Sequence, residues 1–292
     1  MPKAIALLMA GAALAAASPY DDRAPVDEVA QVERDFARDF TGKQWQSFLD
    51  YSAEDAITIF DEMLPAKQFY GELVKASAGR PPSSLDWWPG HVEVACANDL
   101  AWSTGPTLRK AKAGDVHSHY VTVWKREENG QWRWVFDRGV QHAAPADPHP
   151  RGAPPTTVSR AYCAKEQEAS GAAEKAFLEA EDRLTSTLAR DAEAAIKPYL
   201  GPFSTVHRWK RFPARGVQEG LALVRQGPQQ VVSERSRYGM SQSGDLAYTY
   251  GKISWRDDNG KPAQGFYLRV WRNTGRGWEI AMDQVNPINT SE

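Results

Sequence analysis

The segment DLAWSTG at residues 99–105 recurs as DLAYTYG at residues 245–251, a shift of 146 residues in a chain of 292. Three further segments recur in the same order, at shifts of 146 to 148 residues. They are LPAK at 64–67 with FPAR at 212–215, YVTVWK at 120–125 with YLRVWR at 267–272, and WRWVFD at 132–137 with WEIAMD at 278–283. A short structural repeat would recur every ~20–50 residues, so this long and nearly constant shift indicates that one whole domain is present twice.

The two copies are expected at residues 26–142 and 171–288, with residues 143–170 as the linker between them. Each copy has a length that is usual for one domain. Five prolines lie between residues 145 and 155. Because proline fixes φ and lacks an N–H, this composition predicts a semi-rigid spacer, which either holds the copies apart or lies across one of them.

The amino-terminal segment has the composition of an export signal. Lys3 precedes an unbroken run of small and apolar residues that ends in three alanines at residue 17. The run is shorter than the ~20 apolar residues of a membrane span, and its end fits the rule for signal-peptide cleavage. We therefore expect residues 1–17 to be removed and the mature protein to be periplasmic or secreted, without a membrane span. A buried helix or a retained anchor is the alternative.

The charge of the chain argues against nucleic acid as a partner. A formal net charge of −2 and an isoelectric point near 6.3 leave no basic footprint. Residues 20–142 carry a net charge of −6 and residues 171–292 a net charge of +3. Opposite signs favour docking of the two copies, and two separately solvated surfaces are the alternative. The short basic run at 207–211 is interpreted as solvated surface, with an anionic ligand or docking onto the first copy as alternatives.

The chain contains two cysteines, Cys96 and Cys163. An oxidising compartment permits a bridge between them, but two thiols do not make a disulfide framework. A native disulfide and two inert thiols both remain open.

Each copy predicts helices first and strands afterwards. Apolar residues between 29 and 40 recur at the helical spacings of three and four, and the second copy has a similar pattern. Pro65 and Pro213 fit the first position of a later helix in each copy. The second half of each copy is rich in aromatic and β-branched residues separated by glycine turns. This order predicts an α+β fold with helices on one face of an antiparallel sheet.

Helices followed by strands that carry Asp-x-Ala-aromatic-x-x-Gly and end in Trp-(x)4-Asp resemble the nuclear transport factor 2-like superfamily. Its relatives include ketosteroid isomerase, scytalone dehydratase and the SnoaL-like polyketide cyclases. The sequence is most similar to the SnoaL-like group without an assigned function, over residues 26–142 and 171–288. The resemblance implies a cone in each copy, in which a curved sheet wraps around the long first helix. In enzymes of the family this cone is an apolar pocket with one or two polar groups at depth.

The chain carries no motif for a bound cofactor. It has no phosphate-binding glycine loop, nucleophile elbow, Cys-x-x-Cys pair or zinc-protease helix. We therefore expect no cofactor. Any catalysis would be proton transfer, dehydration, isomerisation or hydrolysis by side chains alone.

Asp137 and Asp283 are the first candidates for chemistry, because the repeat places both at the end of the last strand. A carboxylate inside an apolar cone has a raised pKa and can act as a general base or acid. We take Asp137 as the candidate general base, with Tyr120 or His119 as its hydrogen-bond partner. The alternative for each aspartate is a structural pair with a neighbouring arginine.

The other candidate ligand-binding residues are aromatic or imidazole side chains. Trp87, Trp88 and His91 surround a Pro-Gly loop, which predicts a lid over an apolar or sugar ligand. A packed lid that only seals the core is the alternative. The candidates in the second copy are Tyr248, Tyr267 and Asp283.

Histidines in the first copy raise the question of a metal site. His117 and His119 lie on one face of a strand, and His91 or His142 would have to supply a third zinc ligand. The second copy has no histidine at positions equivalent to 117 and 119, and metal is not typical of the superfamily. We therefore expect no metal.

The sequence leaves three functions open. The first is an exported protein that binds a small apolar molecule in its cones without catalysis, and the second is a cofactor-independent isomerase, dehydratase or cyclase. The third is a structural pseudo-dimer with filled cones, and analogy of fold does not choose between them. We expect the copies to pair within the chain, with Trp124 and Trp271 buried between them. The alternative is two beads on a proline spacer, each pairing with another chain in a homodimer.

Overall fold

The computed structural model describes residues 23–145, 149–158, 168–257 and 259–288 of the protein. The signal peptide expected at residues 1–17 lies outside these residues. Within the described ranges, no helix is both long enough and apolar enough to cross a membrane.

The first unit begins with helices and ends with the long strands of its sheet. In chain order its elements are α1 (Arg23–Lys43), α2 (Trp45–Tyr51), β1 (Ser52–Ile59), β2 (Met63–Pro65), α3 (Ala66–Ser77), β3 (Leu85–Trp87), β4 (His91–Val94), β5 (Leu100–Ala111), β6 (Gly114–Arg126) and β7 (Trp132–His142). Val29, Phe36 and Phe40 are buried on one stripe of α1. Because this spacing follows the helical period, the stripe packs against the sheet.

The second unit repeats this order. Its elements are α4 (Glu168–Leu188), α5 (Ala192–Ile196), a 3-10 turn (Lys197–Tyr199), β8 (Leu200–Arg208), β9 (Ala214–Arg215), α6 (Gly216–Arg225), β10 (Val232–Met240), β11 (Leu246–Arg256), β12 (Pro262–Asn273) and β13 (Trp278–Ile288). Phe177, Leu184 and Leu188 form the buried stripe of α4. Trp132 and Trp278 each begin the last strand of their unit. The chain is therefore an α+β protein with two mixed sheets.

Both sheets are mixed rather than purely antiparallel. The strand order is β2-β1-β7-β6-β5-β3 in the first sheet, where β4 also pairs with β5, and β10-β11-β12-β13-β8-β9 in the second. The first long strand of each unit runs parallel to the last one, β1 beside β7 and β8 beside β13. Hydrophobic patterning predicts where strands lie but not which strands become neighbours, so the sequence did not predict the parallel pair.

Pro65 and Pro213 do not begin a helix. Pro65 ends the edge strand β2 directly before α3, and α6 begins only at Gly216, after β9 has intervened. A short edge strand occupies this place in each unit. Proline suits it, because an edge strand can lack one N–H without losing a hydrogen bond of the sheet.

Trp124 and Trp271 lie inside their own units and not between them, so the expectation that they are buried between the copies is wrong. Both side chains are fully buried. Trp124 Nε1 donates to Glu33 Oε2 of α1 at 3.2 Å, and Trp271 Nε1 donates to Glu181 Oε2 of α4 at 2.8 Å. Alternation along β6 and β12 turns these indoles toward the first helix of each unit.

The outer faces of the two sheets pack against each other. Leu268 and Val270 alternate with the inward side chains of β12 and belong to one buried cluster with Val121 and Val123 of β6. The apolar core of the first unit therefore continues across the contact into the second unit.

Two equivalent turns connect the units by reciprocal hydrogen bonds. The carboxylate of Asp99 accepts from Gln242 N at 2.8 Å, and that of Asp245 accepts from Cys96 N at 2.8 Å. The two hydrogen bonds are equivalent, because in the repeat residue 99 corresponds to residue 245 and residue 96 corresponds to residue 242. A self-complementary contact of this kind is characteristic of a two-fold interface.

The glycine that ends the repeated DLA motif has a steric role. A Cβ atom on Gly105 would lie 2.1 Å from Trp88 O, and one on Gly251 would lie 2.0 Å from Glu234 O. Both positions therefore allow a neighbouring edge segment to cross at close range. This explains why both copies of the motif end in glycine.

The described part of the linker, residues 149–158, lies against the first unit. Thr156 N donates to Gly90 O at 2.9 Å, and Thr156 O accepts from Val92 N at 3.0 Å. His91 and Thr156 form a parallel bridge. This part of the linker thus covers the edge of the sheet beside β4, where an unpaired edge would otherwise be exposed.

Cys96 lies in the turn between β4 and β5 and forms a disulfide bond. Cys163, the other cysteine of the chain, lies outside the described residues. The bonded sulfur is thus in the same turn as the reciprocal hydrogen bonds between the units.

Candidate functional site

A buried carboxylate, Glu33, lies in the interior of the first unit. It follows Val29 by one helical turn on α1, on the stripe that faces the sheet. Glu33 Oε1 accepts from Trp87 Nε1 at 2.7 Å. Its Oε2 accepts from Ser103 Oγ at 2.6 Å and from Trp124 Nε1 at 3.2 Å. Neutral donors thus satisfy this carboxylate, and it forms no ion pair with a described residue.

Burial controls the ionisation of Glu33. The loss of water raises the pKa of Glu33 to about 7, against the opposing effect of the Ser103 hydrogen bond, and the nearby Asp137 adds to the increase. At neutral pH the Glu33 carboxyl group is therefore partly protonated.

A cavity of about 200 Å³ opens in the first unit. Its aromatic wall consists of Phe36, Phe48, Trp87, Tyr120 and Trp209. Its polar lining includes Thr107, Ser118, Asp137, Arg138 and Gln141. An aromatic wall with a few polar groups is typical of small-molecule sites, and this volume limits the ligand to a small one.

Asp137 is the carboxylate that lines this cavity. It lies opposite Thr122 in the pairing of β6 with β7, and its Oδ2 accepts from Thr122 Oγ1 at 2.7 Å. Its Oδ1 has no hydrogen-bond partner within the described part of the chain. Burial raises the pKa of Asp137 to about 6, with the Thr122 hydrogen bond and the Arg138 charge opposing the increase. Such a group can accept or release a proton near neutral pH.

Besides Asp137, three lining residues carry a buried polar atom without a geometric hydrogen-bond partner among the described residues. These atoms are Tyr120 Oη, Thr107 Oγ1 and Trp209 Nε1. Tyr120 is only 5% exposed. Buried polar atoms are nearly always paired in folded proteins, so Thr107 Oγ1 and Trp209 Nε1 mark unused hydrogen-bonding capacity beside the cavity, whereas the Tyr120 hydroxyl group lies close to Ser103.

The second unit supplies one wall of the cavity. Trp209 directly follows β8, in a turn where Lys210 has a φ of 60°. Lys210 N donates to Gln141 O of β7 at 2.8 Å. This hydrogen bond fixes the turn against the first unit, so the site is built from both units.

The equivalent interior of the second unit is filled by an arginine. Arg269 replaces Thr122 in the repeat and donates to Glu181 Oε1 and to Asp283 Oδ1, both at 2.8 Å. Arg208 adds a second ion pair to Asp283, at 2.6 Å. Glu181 and Asp283 are fully buried, and Arg269 is 2% exposed.

These ion pairs reverse the ionisation seen in the first unit. Burial alone would raise the pKa of Asp283, but the guanidinium groups of Arg208 and Arg269 outweigh burial and hold this pKa below its ordinary value. Burial likewise opposes the charge on Arg269, but Glu181 and Asp283 raise its pKa. Asp283 therefore has the surroundings of a structural ion pair and not those of an acid-base group.

Trp88 and His91 lie outside the cavity. Trp88 Nε1 donates to His149 O at 2.8 Å, and Trp88 lines a separate surface cleft of about 630 Å³. His91 is buried between Thr156 Oγ1, at 2.8 Å, and Glu93 Oε1, at 2.9 Å. Of the lid predicted from the sequence, only Trp87 reaches the cavity.

His119 lies at the contact between the units. Its Nδ1 is 2.8 Å from Nε2 of His142, and both rings contact Phe212 of the second unit. Burial, with the nearby His207 and His142, lowers the pKa of His119 to about 2, so the ring is neutral. Of the two hydrogen-bond partners predicted for Asp137, Tyr120 lines the cavity and His119 does not. Within the described ranges, no three His, Cys, Asp or Glu side chains are arranged to hold a metal ion.

The two tyrosines predicted for the second copy have different surroundings. Tyr267 Oη donates to Glu181 Oε1 at 3.4 Å, and its ring lies beside the Arg269 guanidinium. Tyr248 belongs to the buried cluster shared with the first unit. The cavity of the first unit brings together three of the predicted site residues, Trp87, Tyr120 and Asp137.

Sequence reasoning missed Glu33 and Arg269. Glu33 was hidden in the apolar pattern of α1, although Glu181 occupies the equivalent position 148 residues later. Two glutamates at matching places on two apolar stripes were the available signal. Arg269 interrupts an apolar strand at the place where the first copy has Thr122.

No protein-family model and no curated protein matches the chain. Among solved structures, a conserved protein from Planctomyces limnophilus is 19% identical with a TM-score of 0.33, over 40% of this chain and 99% of that one. A nuclear transport factor 2-like protein of unknown function from Pseudomonas putida is 16% identical with a TM-score of 0.34, over 41% and 87% of the two chains. A candidate dehydratase of the same family from Streptomyces avermitilis is 15% identical with a TM-score of 0.34, over 41% and 99%. The similarity to these solved structures concerns the fold alone, and each match covers about two fifths of this chain, which is the length of one unit.

Proposed function

We propose that the first unit binds a small molecule with a largely apolar body, and that the second unit supports this site without a ligand of its own. The observation that carries the proposal is the exchange of Thr122 for Arg269 at equivalent positions. The short threonine is found beside an aromatic cavity with an accessible carboxylate, Asp137. The long arginine fills the same region of the second unit and neutralises its carboxylates.

Thr122→Arg tests this proposal, because it places the second unit's own side chain in the first unit. Binding of phenol, benzamide, benzamidine and benzoate is measured by saturation-transfer NMR. The wild-type protein is expected to bind at least one of them, and Thr122→Arg should weaken that binding at least tenfold. The control, Ser186→Arg, adds the same charge on the exposed surface of α4 and should bind as the wild type does. Equal binding by Thr122→Arg would contradict the proposal.

A second candidate function is cofactor-independent proton transfer. Asp137 favours it, since its pKa is raised to about 6 and one carboxylate oxygen is free of described partners. Deuterium exchange at the α-carbon of cyclohexanone in D2O, followed by NMR, measures this activity. The expected exchange is faster than in buffer and lost in Asp137→Asn. Exchange at the same rate in both proteins excludes Asp137 as the base.

We also propose that the protein is exported. The apolar run before residue 17 supports export, and so does the disulfide at Cys96, because such bonds persist in oxidising compartments. Amino-terminal sequencing of protein from its native host is the test. An intact Met1 on cytoplasmic protein would contradict export.

A further inference from the structure

We propose that the ligand of the first unit carries an organic cation, such as an amidinium, guanidinium or amine group, which lies against Asp137. The inference rests on the binding site proposed above and assigns its ligand a chemical class. Four observations support it.

The second unit contains an internal example of such a complex. Its Arg269 guanidinium lies between the carboxylates of Glu181 and Asp283, with both hydrogen bonds at 2.8 Å. The Tyr267 ring lies beside it, with 4.8 Å between the guanidinium carbon and the ring centroid. A glutamate of the first helix, an aspartate of the last strand and a tyrosine of the strand between them thus hold a planar cation.

The first unit retains all three of these groups but not the cation. Glu33, Tyr120 and Asp137 are the equivalents of Glu181, Tyr267 and Asp283 in the repeat. At the position of the arginine the first unit has Thr122, which is too short to reach both carboxylates. The first unit therefore retains both carboxylates of this cation site, of which Asp137 lines the cavity, but it lacks the internal cation.

The charges of the two interiors differ by one guanidinium. In the second unit two carboxylates face two guanidinium groups, those of Arg208 and Arg269. In the first unit Phe60 stands where Arg208 would be, and Arg138 is the cationic residue that lines the cavity. Arg138 lies over the Phe60 ring, and it acts on Asp137 through its charge without a direct ion pair among the described residues. When both carboxylates are ionised, one cation on the ligand restores the balance found in the second unit.

The cavity wall also suits a cation. Five aromatic residues line it, and the face of an aromatic ring attracts ammonium and guanidinium groups, most strongly where water is excluded. Asp137 offers the direct contact, because both oxygens of Glu33 are already occupied by donors from Trp87, Ser103 and Trp124. Glu33 then acts through its charge alone. An anionic ligand would instead add a third negative charge to this interior.

Three compounds of one shape and different charge distinguish the ligand classes. Isothermal titration at pH 8 measures the affinity of the full-length protein for benzamidine, neutral benzamide and anionic benzoate. Benzamidine is expected to bind at least tenfold more tightly than benzamide, and benzoate most weakly. In Asp137→Asn, which keeps the shape of the cavity, the preference for benzamidine should fall to less than threefold. Ser186→Arg is the matched control and should keep the full preference.

The possible failures are separable. If benzamide or benzoate binds as tightly as benzamidine, the proposal of a cationic ligand is wrong. The proposal that the first unit has a binding site is then still supported. If none of the three binds and phenol does not bind either, the binding site itself fails and the cation inference with it; if phenol alone binds, only the cation inference is wrong. A preference for benzamidine that persists in Asp137→Asn shows that the cation lies elsewhere and also overturns the inference.

Discussion

At the scale of single residues, a guanidinium at position 269 lies between two buried carboxylates, and each of the three groups depends on the others. Burying a charge is costly unless it is paired, so removal of the arginine leaves an uncompensated charge in the core of the second unit. The first unit lacks this cation, and its two carboxylates, Glu33 and Asp137, are stabilised in a different way. There, neutral donors and partial protonation take the place of the ion pairs.

Arg269→Thr gives the second unit the residue of the first. We expect a loss of about 3–5 kcal/mol in the free energy of unfolding, because Glu181 loses its cation and Asp283 keeps only Arg208. Urea denaturation at pH 7 measures the loss. Adding Glu181→Gln should recover part of it, and Arg276→Met, at an exposed turn, should be close to neutral. An unchanged stability of Arg269→Thr would show that the ion pairs contribute little.

Glu33→Gln should change how stability depends on pH. The pKa of Glu33 is about 7 in the fold and about 4.5 ordinarily, so the unfolded chain loses this proton first as pH rises. Glu33 therefore contributes a decrease in stability between about pH 4.5 and 7, amounting to about 3 kcal/mol. Replacement by glutamine should remove this decrease. Denaturation midpoints from pH 4 to 8 provide the measurement, with the exposed Glu54→Gln as control.

At the scale of secondary-structure elements, the position of each side chain follows from alternation along two strands. On β6 and β12, alternate residues face the first helix of their own unit or the sheet of the other unit. The sequence predicted these strands and their order, and from the repeat and the aromatic pattern it predicted Asp137, Tyr120 and Trp87 as site residues, which the structure places around one cavity. Trp209 could not be found this way, because its place beside Gln141 depends on how the two units meet. The parallel neighbours β1 and β7 also depend on topology, which patterning does not contain.

Gly105→Ala tests the close crossing beside β5. The added methyl group would lie 2.1 Å from Trp88 O, a backbone atom that cannot rotate away. We expect the free energy of unfolding to fall by about 1–3 kcal/mol, the usual cost of overpacking a core. Gly71→Ala is the control, since its Cβ meets no atom within 4 Å and alanine favours the α3 helix. A variant of Gly105 as stable as this control would show that the edge segment shifts freely.

At the scale of the whole molecule, the contact between the units has two parts of different character. The reciprocal hydrogen bonds of Asp99 and Asp245 set the relative orientation, because each requires one geometry. The apolar cluster that includes Leu268 and Val270 supplies the driving force for association. Since the units are tethered, their effective concentration is high, and pairing within one chain should prevail over pairing between chains.

We therefore expect the protein to be a compact monomer in solution. Small-angle scattering should give a radius of gyration of about 19 Å, the value for a compact chain of this length. Leu268→Asp places a charge in the contact and should raise the radius, whereas Val232→Asp, at a residue 62% exposed, should not. Opening the contact also removes Trp209 from the cavity of the first unit, so Leu268→Asp should weaken ligand binding even though no residue of that unit is changed. A two-lobed profile of the wild type, or a dimer in which the sheets pair only between chains, would mean that the site is not assembled within one molecule.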